Sequence, residues 1–250
     1  MPQPAPAADT ETSGAVPRKG HRELWLRVAS AAVLAPLAVV AAYLGGGWFI
    51  AFWLLASAGI LWEWLAIVSR ARDLTPGGRA GWIALGLAYA GTMLVAPVVL
   101  RADPEFGFLA MIFLFAVVWV TDVVAYFAGR LLGGPKLWRK VSPNKTWSGA
   151  IGGAAGAVVA GLVVSTVAGI GNGPAIAALS LVLSVVAQGG DLFESAFKRR
   201  FGAKDASHVI PGHGGLMDRL DGLLTAALAA AVIGVARGGL DGAGRGLILW

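Results

Sequence analysis

Cysteine is absent from all 250 residues, which excludes disulfides, thiolate metal sites and a cysteine nucleophile. Charge is scarce as well: 14% of residues are Asp, Glu, Lys or Arg, and the stretches 28–62, 106–121 and 149–190 contain none. A helix needs about 20 apolar residues to cross the hydrocarbon core of a bilayer, so the long uncharged runs exclude an ordinary soluble domain. The 57% hydrophobic content and the mean hydropathy of +0.72 agree. They predict an all-α polytopic integral membrane protein. No internal repeat of the kind that builds many transporters from paired broken helices is visible.

The charge that is present is unbalanced, 20 Lys plus Arg against 14 Asp plus Glu, for a net +6. In a soluble chain this would suggest nucleic acid. In a polytopic one, basic loops accumulate on the cytoplasmic side, and no nucleic-acid partner is expected. Residues 1–23 open with MPQPAPAADTETSGAVPRKG, rich in Pro, Ala, Thr and Ser and without apolar periodicity, and read as a disordered cytoplasmic tail. A signal peptide with 28–44 as its core is the competing reading. A run long enough to span, followed almost at once by another, favours an uncleaved first helix with its N-terminus inside.

Helices are expected near 24–44, 48–68, 81–100, 106–131, 148–169, from the Gly-Asn-Gly-Pro turn at 171–174 into the basic stretch at 198–200, and near 217–236. That makes about seven spans, or eight if the C-terminal tail re-enters or the fourth helix is two segments. The three most basic loops then fall on one face, the cytoplasmic one. Residues 24–105 are expected to form the N-terminal transmembrane helices and 106–250 a second transmembrane domain, the one that carries the charged motifs. Gly149/Gly153 and Gly152/Gly156 make small-xxx-small pairs for close helix packing within the chain, with a homodimer seam as the second reading.

Ionisable residues beside or within spans are costly and mark functional positions. In GGDLFESAFKRRFGAKD, Asp191, Ser195 and Lys198 fall at i, i+4 and i+7 on one helical face, and in MDRLDGLL Asp218 and Asp221 share a face at i, i+3. Two carboxylate-bearing helices joined by a cytoplasmic loop can converge. Their oxygen donors suit Mg²⁺ and similar hard ions, completed by substrate phosphates. Lys198, Lys204 and Arg219 fit such phosphates. So does the PGHGG turn, where Gly212, Gly214 and Gly215 let backbone N–H groups approach an anion. Lys145, just before the fifth helix, adds a cation at a helix N-terminus. Asp122 shares its face with Tyr126 and Arg130, either as part of this site or as a structural ion pair with Arg130. Taken singly, the 198–200 charges read as a solvated run and His213 as a turn histidine; the combination within 31 residues is what points to a site.

This stretch resembles the phosphatidate cytidylyltransferases, also called CDP-diglyceride synthetases. The signature is carried by Ser195, Lys198, Arg199, Lys204, Asp205, Pro211, Gly212, His213, Gly214, Gly215, Asp218, Arg219 and Asp221. SPNKTWSGAIGG at 142–153, AYFAGRLLGG at 125–134 and GDLFES at 190–195 extend the likeness over about 120–236. The chain departs from the usual pattern at Asn144, Ser148 and Ala206, where Lys, Glu and Ser are commoner. The resemblance implies an enzyme of the inner or plasma membrane, active site facing the cytoplasm, that makes CDP-diacylglycerol and pyrophosphate from CTP and phosphatidic acid.

By that resemblance Asp191, Ser195 and Asp218 hold metal, with Asp221 assisting: a divalent Mg²⁺, with a monovalent ion such as K⁺ as a second candidate. The expected catalytic set is Lys198, Lys204, Asp205, His213, Arg219 and Asp221. The expected substrate-binding set is Lys145, Ser142, Arg199, Gly212, Gly214, Gly215 and Asp122. Two other readings stay open at this stage: a related enzyme acting on an isoprenoid-linked lipid, and a transporter of cations or phosphate compounds.

Overall fold

The computed structural model describes residues 19–203, 205–207 and 214–250, with side chains from residue 32 onward. Residues 1–18 of the expected tail, and Lys204, Gly212 and His213, lie outside the described residues. Helix α1 spans Lys19–Leu44 and is followed by α2 (Gly46–Ser69), α3 (Pro76–Ala102) and α4 (Gly107–Leu132). A short antiparallel hairpin, β1 (Lys136–Trp138) and β2 (Ser142–Thr146), leads into α5 (Trp147–Val167), α6 (Gly173–Arg200), α7 (Met217–Gly238) and α8 (Ala243–Ile248). Six of these, α2 to α7, are long and apolar enough to cross a membrane, and α1 adds a shorter apolar segment, Ala32–Leu44. This is the expected polytopic helical architecture. The fourth helix is continuous, and α8, six residues and about 9 Å long, is too short to span.

Local chemistry sets the helix boundaries. Thr75 caps α3, its hydroxyl accepting from the Gly78 N–H at 3.1 Å, and Thr146 caps α5 by accepting from Gly149 N–H at 3.1 Å. Pro76 and Pro174 stand in the first turns of α3 and α6, where a missing N–H costs nothing. Gly133 ends α4 at φ 62°, a left-handed conformation that turns the chain into the hairpin.

The bundle has two chemically distinct ends. At one, Arg101 Nε donates to Ala42 O at 2.6 Å, tying α3 to α1. There too the buried Asp103 accepts from the backbone N–H groups of Glu105, Phe106 and Arg245, which draws α8 onto the α3–α4 turn. The opposite end carries the loop after α2, the hairpin and the α6–α7 loop. Large apolar side chains face outward around the bundle, among them Leu54, Leu55 and Trp62 on α2 and Val159, Val163 and Val167 on α5. In a bilayer these face lipid.

Aromatic packing fixes α2, α3 and α6 against one another. Trp64 is fully buried, stacks on Phe197 of α6 with ring centroids 3.7 Å apart, and donates its indole N–H to Trp82 O at 2.8 Å. At Gly86 of α3 an added Cβ would come within 2.4 Å of that indole, so the glycine makes the space the ring occupies.

Candidate active site

Glycine brings the charged helices together. Along α5 an added Cβ at Gly149 would stand 2.8 Å from Ala125 O, and one at Gly153 2.8 Å from Thr121 O, while Gly152 and Gly156 meet Ala128 and Val124. The small-residue stripe therefore packs within the chain, onto α4, as expected. This contact sets Lys145, two residues ahead of α5, beside α4 and α6. Between α6 and α7 the approach is as close: a Cβ at Gly190 would lie 2.8 Å from Asp221 O, and one at Gly222 2.7 Å from Asp191 Oδ1.

The result is two neighbouring charge centres. The first surrounds a cavity of about 550 Å³ whose walls include Asp122, Tyr126, Arg130, Lys136, Asn144, Lys145, Thr146, Gln188 and Asp191. Lys145 Nζ donates to Asp191 Oδ2 at 2.9 Å. Asp122 and Asp221 lie within electrostatic reach of Asp191. Arg130 donates to the Tyr126 hydroxyl at 2.9 Å, so its hydrogen-bond partner is Tyr126, and Asp122 faces the cavity.

The second centre lies nearer the helix ends. Lys198 pairs with Glu194 at 2.8 Å and with Asp218, and all three side chains are largely buried. Asp218 does more than pair: its Oδ2 accepts from Ala206 N–H at 3.0 Å and Gly215 N–H at 2.7 Å, drawing both ends of the signature loop onto α7. Gly214 adopts φ 78°, and a Cβ there would meet Asp218 Oδ2 at 2.7 Å, so the loop passes close against the carboxylate.

The expected column of Asp191, Ser195 and Lys198 is thus divided. Asp191 serves the cavity, Lys198 serves the loop, and Ser195 lies half-buried between them on α6. Arg199 is exposed and reaches Ala203 O at 3.5 Å in its own helix-terminal turn. Ser142 begins β2 opposite Trp138 and is not among the cavity's lining residues. Asp205 and Arg219 are exposed, and Asp221 is half-buried with Oδ1 accepting from Gly222 N–H at 2.9 Å.

Two carboxylates belong to this region without having been expected there. Glu194 is buried, and its Oε1 has no hydrogen-bond partner among the described residues. Its place one turn before Lys198 was a legible signal. Glu63 of α2 gave no signal beyond being an acidic residue at the end of an uncharged run. It is 1% exposed and accepts from the hydroxyl of Ser207 and from the N–H groups of Leu216 and Met217.

The donor set is chemically suited to a hard cation: carboxylate oxygens, a hydroxyl and one buried acceptor unsatisfied among the described residues. Among the described residues no three His, Asp or Glu side chains are clustered so as to hold one ion, and the ammonium groups of Lys145 and Lys198 neutralise the carboxylates instead.

Both centres, apart from Glu63, fall in residues 75–236, the stretch matched by the model of the family described as Cytidylyltransferase family. The chain belongs to the cytidylyltransferase family. It is similar to the phosphatidate cytidylyltransferase of Brucella abortus biovar 1 (strain 9-941), 57% identical over 147 residues, 59% of this chain and 54% of that protein. It is also 35% identical over 219 residues to the phosphatidate cytidylyltransferase of Rickettsia bellii (strain RML369-C), covering 84% of this chain and 90% of that one. The phosphatidate cytidylyltransferase of Haemophilus influenzae (strain ATCC 51907 / DSM 11121 / KW20 / Rd) is 43% identical over 129 residues, half of this chain and 45% of that protein. The match therefore spans about half the length of the Brucella protein and nearly all of the Rickettsia one. For this member of the cytidylyltransferase family, the match leaves α1 and α2, and with them Glu63, outside the family model.

Proposed function

We propose that the protein is a phosphatidate cytidylyltransferase that converts CTP and phosphatidic acid to CDP-diacylglycerol and pyrophosphate. The observation that carries this reading is the pairing of lysines with carboxylates at one end of a membrane bundle. Lys145 and Lys198 are held by Asp191, Glu194 and Asp218, next to a cavity of about 550 Å³ beside the hairpin. The names of the similar proteins from Brucella and Rickettsia support the same reaction.

In this reaction a phosphatidate oxygen attacks the α-phosphorus of CTP in line, the new P–O bond forms as the bond to the β-phosphate oxygen breaks, and pyrophosphate leaves. The nucleophile is already anionic, so no covalent enzyme intermediate is required. The protein's work is positioning two polyanions and offsetting charge on the departing group. Lys145, Lys198 and Arg219 supply cations for the phosphates, with Lys204 of the signature assigned the same role. Asp191 and Asp221 beside the cavity and Asp218 beside the loop, with Ser195 between them, would supply oxygen ligands for Mg²⁺ and for a second, monovalent ion such as K⁺, the remaining positions being filled by substrate phosphates. A bound divalent ion would neutralise charge on the pyrophosphate.

We assign the site to the cytoplasmic face of the inner or plasma membrane. The loops after α2, α4 and α6, together with the helix turns that flank them, hold most of the basic residues, and α6, at 28 residues and about 42 Å, is longer than the roughly 30 Å hydrocarbon core. Its basic end, Lys198 to Arg200, then projects to where a soluble nucleotide meets a lipid headgroup. The test is purified protein in mixed micelles with labelled CTP, phosphatidate and Mg²⁺, following CDP-diacylglycerol and pyrophosphate. Product dependent on both lipid and metal is expected. Well-folded protein that forms no product with phosphatidate would overturn the reading, and activity on an isoprenoid phosphate instead would redirect it.

A further inference from the structure

We infer that Glu63 of α2 is a positioning residue for the nucleotide-binding loop, a role that rests on the reaction proposed above and lies outside the part of the chain that carries the family signature. Three observations converge on it. First, Glu63 is a carboxylate with 1% exposure in a helix otherwise without acidic residues, a costly arrangement that persists only with its oxygens satisfied. Second, its partners sit on both sides of the signature loop. Oε1 accepts from Ser207 Oγ at 2.5 Å and Leu216 N–H at 2.8 Å, and Oε2 from Met217 N–H at 2.7 Å. Third, the groups it reaches are the open N–H groups at the start of α7, where backbone donors lack helical partners and the helix dipole favours negative charge.

The same loop is held from within by Asp218, which takes Ala206 N–H and Gly215 N–H on one oxygen. Two carboxylates therefore clasp the loop's ends: one belongs to the signature, the other comes from a helix more than 140 residues earlier. Gly215 lies between them. An added Cβ there would stand 2.7 Å from both Glu63 oxygens and 2.8 Å from Ala206 Cβ, so the backbone fits against Glu63 with no room for a methyl group. The neighbouring Trp64, buried and stacked on Phe197, fixes the rotation of α2 that aims Glu63 at the loop, and Phe197 adjoins Lys198. Glu63 thereby sets where Asp218 and Lys198 stand relative to each other.

Glu63→Gln keeps the size of the side chain but replaces one acceptor oxygen by an NH₂ facing N–H donors. Hydrogen exchange and steady-state kinetics on the full chain in detergent test the inference separately. Glu63→Gln should speed exchange at Ala206 and Gly215, amides that Glu63 does not bond, while the middle of α7 keeps its protection. It should also raise KM for CTP about tenfold, the scale of one charge-assisted hydrogen bond, with KM for phosphatidate unchanged. A residue that served only stability would lower the folded fraction and the apparent kcat without moving either KM or the exchange at Ala206. That outcome would overturn the inference. If Glu63→Gln does not fold, Ser207→Ala, which removes one of the three bonds, should show the same split at smaller size, and an unchanged CTP KM there would count against it. Absence of cytidylyl transfer by the unmodified protein would remove the proposed reaction, while the exchange experiment would still decide whether Glu63 holds the loop.

Discussion

At the scale of single residues, Asp218 joins three partners, from α6 and from the loop between α6 and α7. One oxygen takes two loop N–H groups and the other pairs with Lys198. In Asp218→Asn the amide oxygen can retain the loop contacts, while the NH₂ faces an ammonium group, so charge is lost with little change of shape. The expected outcome is a fall in kcat of roughly a hundredfold or more in a protein that still folds, with its thermal midpoint lowered by the broken buried pair. Near-normal turnover would remove Asp218 from the reacting centre. Lys145 and Asp191, 46 positions apart in sequence, pair through a contact that only the α4–α5–α6 packing creates.

At the scale of elements, the α6–α7 contact makes adjacent glycines unequal. Gly190 sits where an added Cβ would meet the Asp221 carbonyl at 2.8 Å, whereas Gly189 has nothing within 4 Å. Gly189→Ala should stabilise the protein by about 0.5–1 kcal/mol, because alanine loses less conformational entropy in a helix. Gly190→Ala should destabilise it by about 1–3 kcal/mol by overpacking. It should also reduce turnover, since it parts Asp191 from Asp221. Thermal unfolding of the two variants, with activity measured alongside, checks both signs. Equal behaviour of the two would mean that α6 and α7 do not meet at Gly190.

At the scale of the whole molecule, Asp103 joins the turn between α3 and α4 to α8 at the end remote from the site. Burial alone would raise its carboxyl pKa, but the N–H groups of Phe106, Arg245 and Glu105, with the Arg245 charge, outweigh that and hold it below the ordinary 3.8. A group whose folded pKa lies below its unfolded value contributes stability that is fully present above the unfolded value and is lost as pH falls through the folded one. The thermal midpoint should therefore decline below about pH 4, and Asp103→Asn should flatten that decline while costing about 1–3 kcal/mol at neutral pH. Melting curves of both proteins between pH 3 and 7 measure it. An unaltered acid limb in the variant would show that other carboxylates govern the acid transition.

The sequence by itself determined the class, the spans and most of the charged positions. Runs such as 28–62 and 149–190 have no charge to place in water, and a bilayer requires their backbone groups to be satisfied within helices, so their length and composition suffice. The signature from Ser195 to Asp221 was legible because its members lie close together in the chain. Tertiary structure decided the partners. It sent Lys145 to Asp191 and Lys198 to Glu194 and Asp218, and gave Arg130 the Tyr126 hydroxyl as its hydrogen-bond partner. It also brought Glu63 to Leu216 and Met217 across more than 150 residues. Helical periodicity states which residues share a face, but which helix that face meets depends on packing between segments far apart in the chain. That packing is set here by glycines, an indole ring and a buried carboxylate whose roles appear only once the helices are assembled.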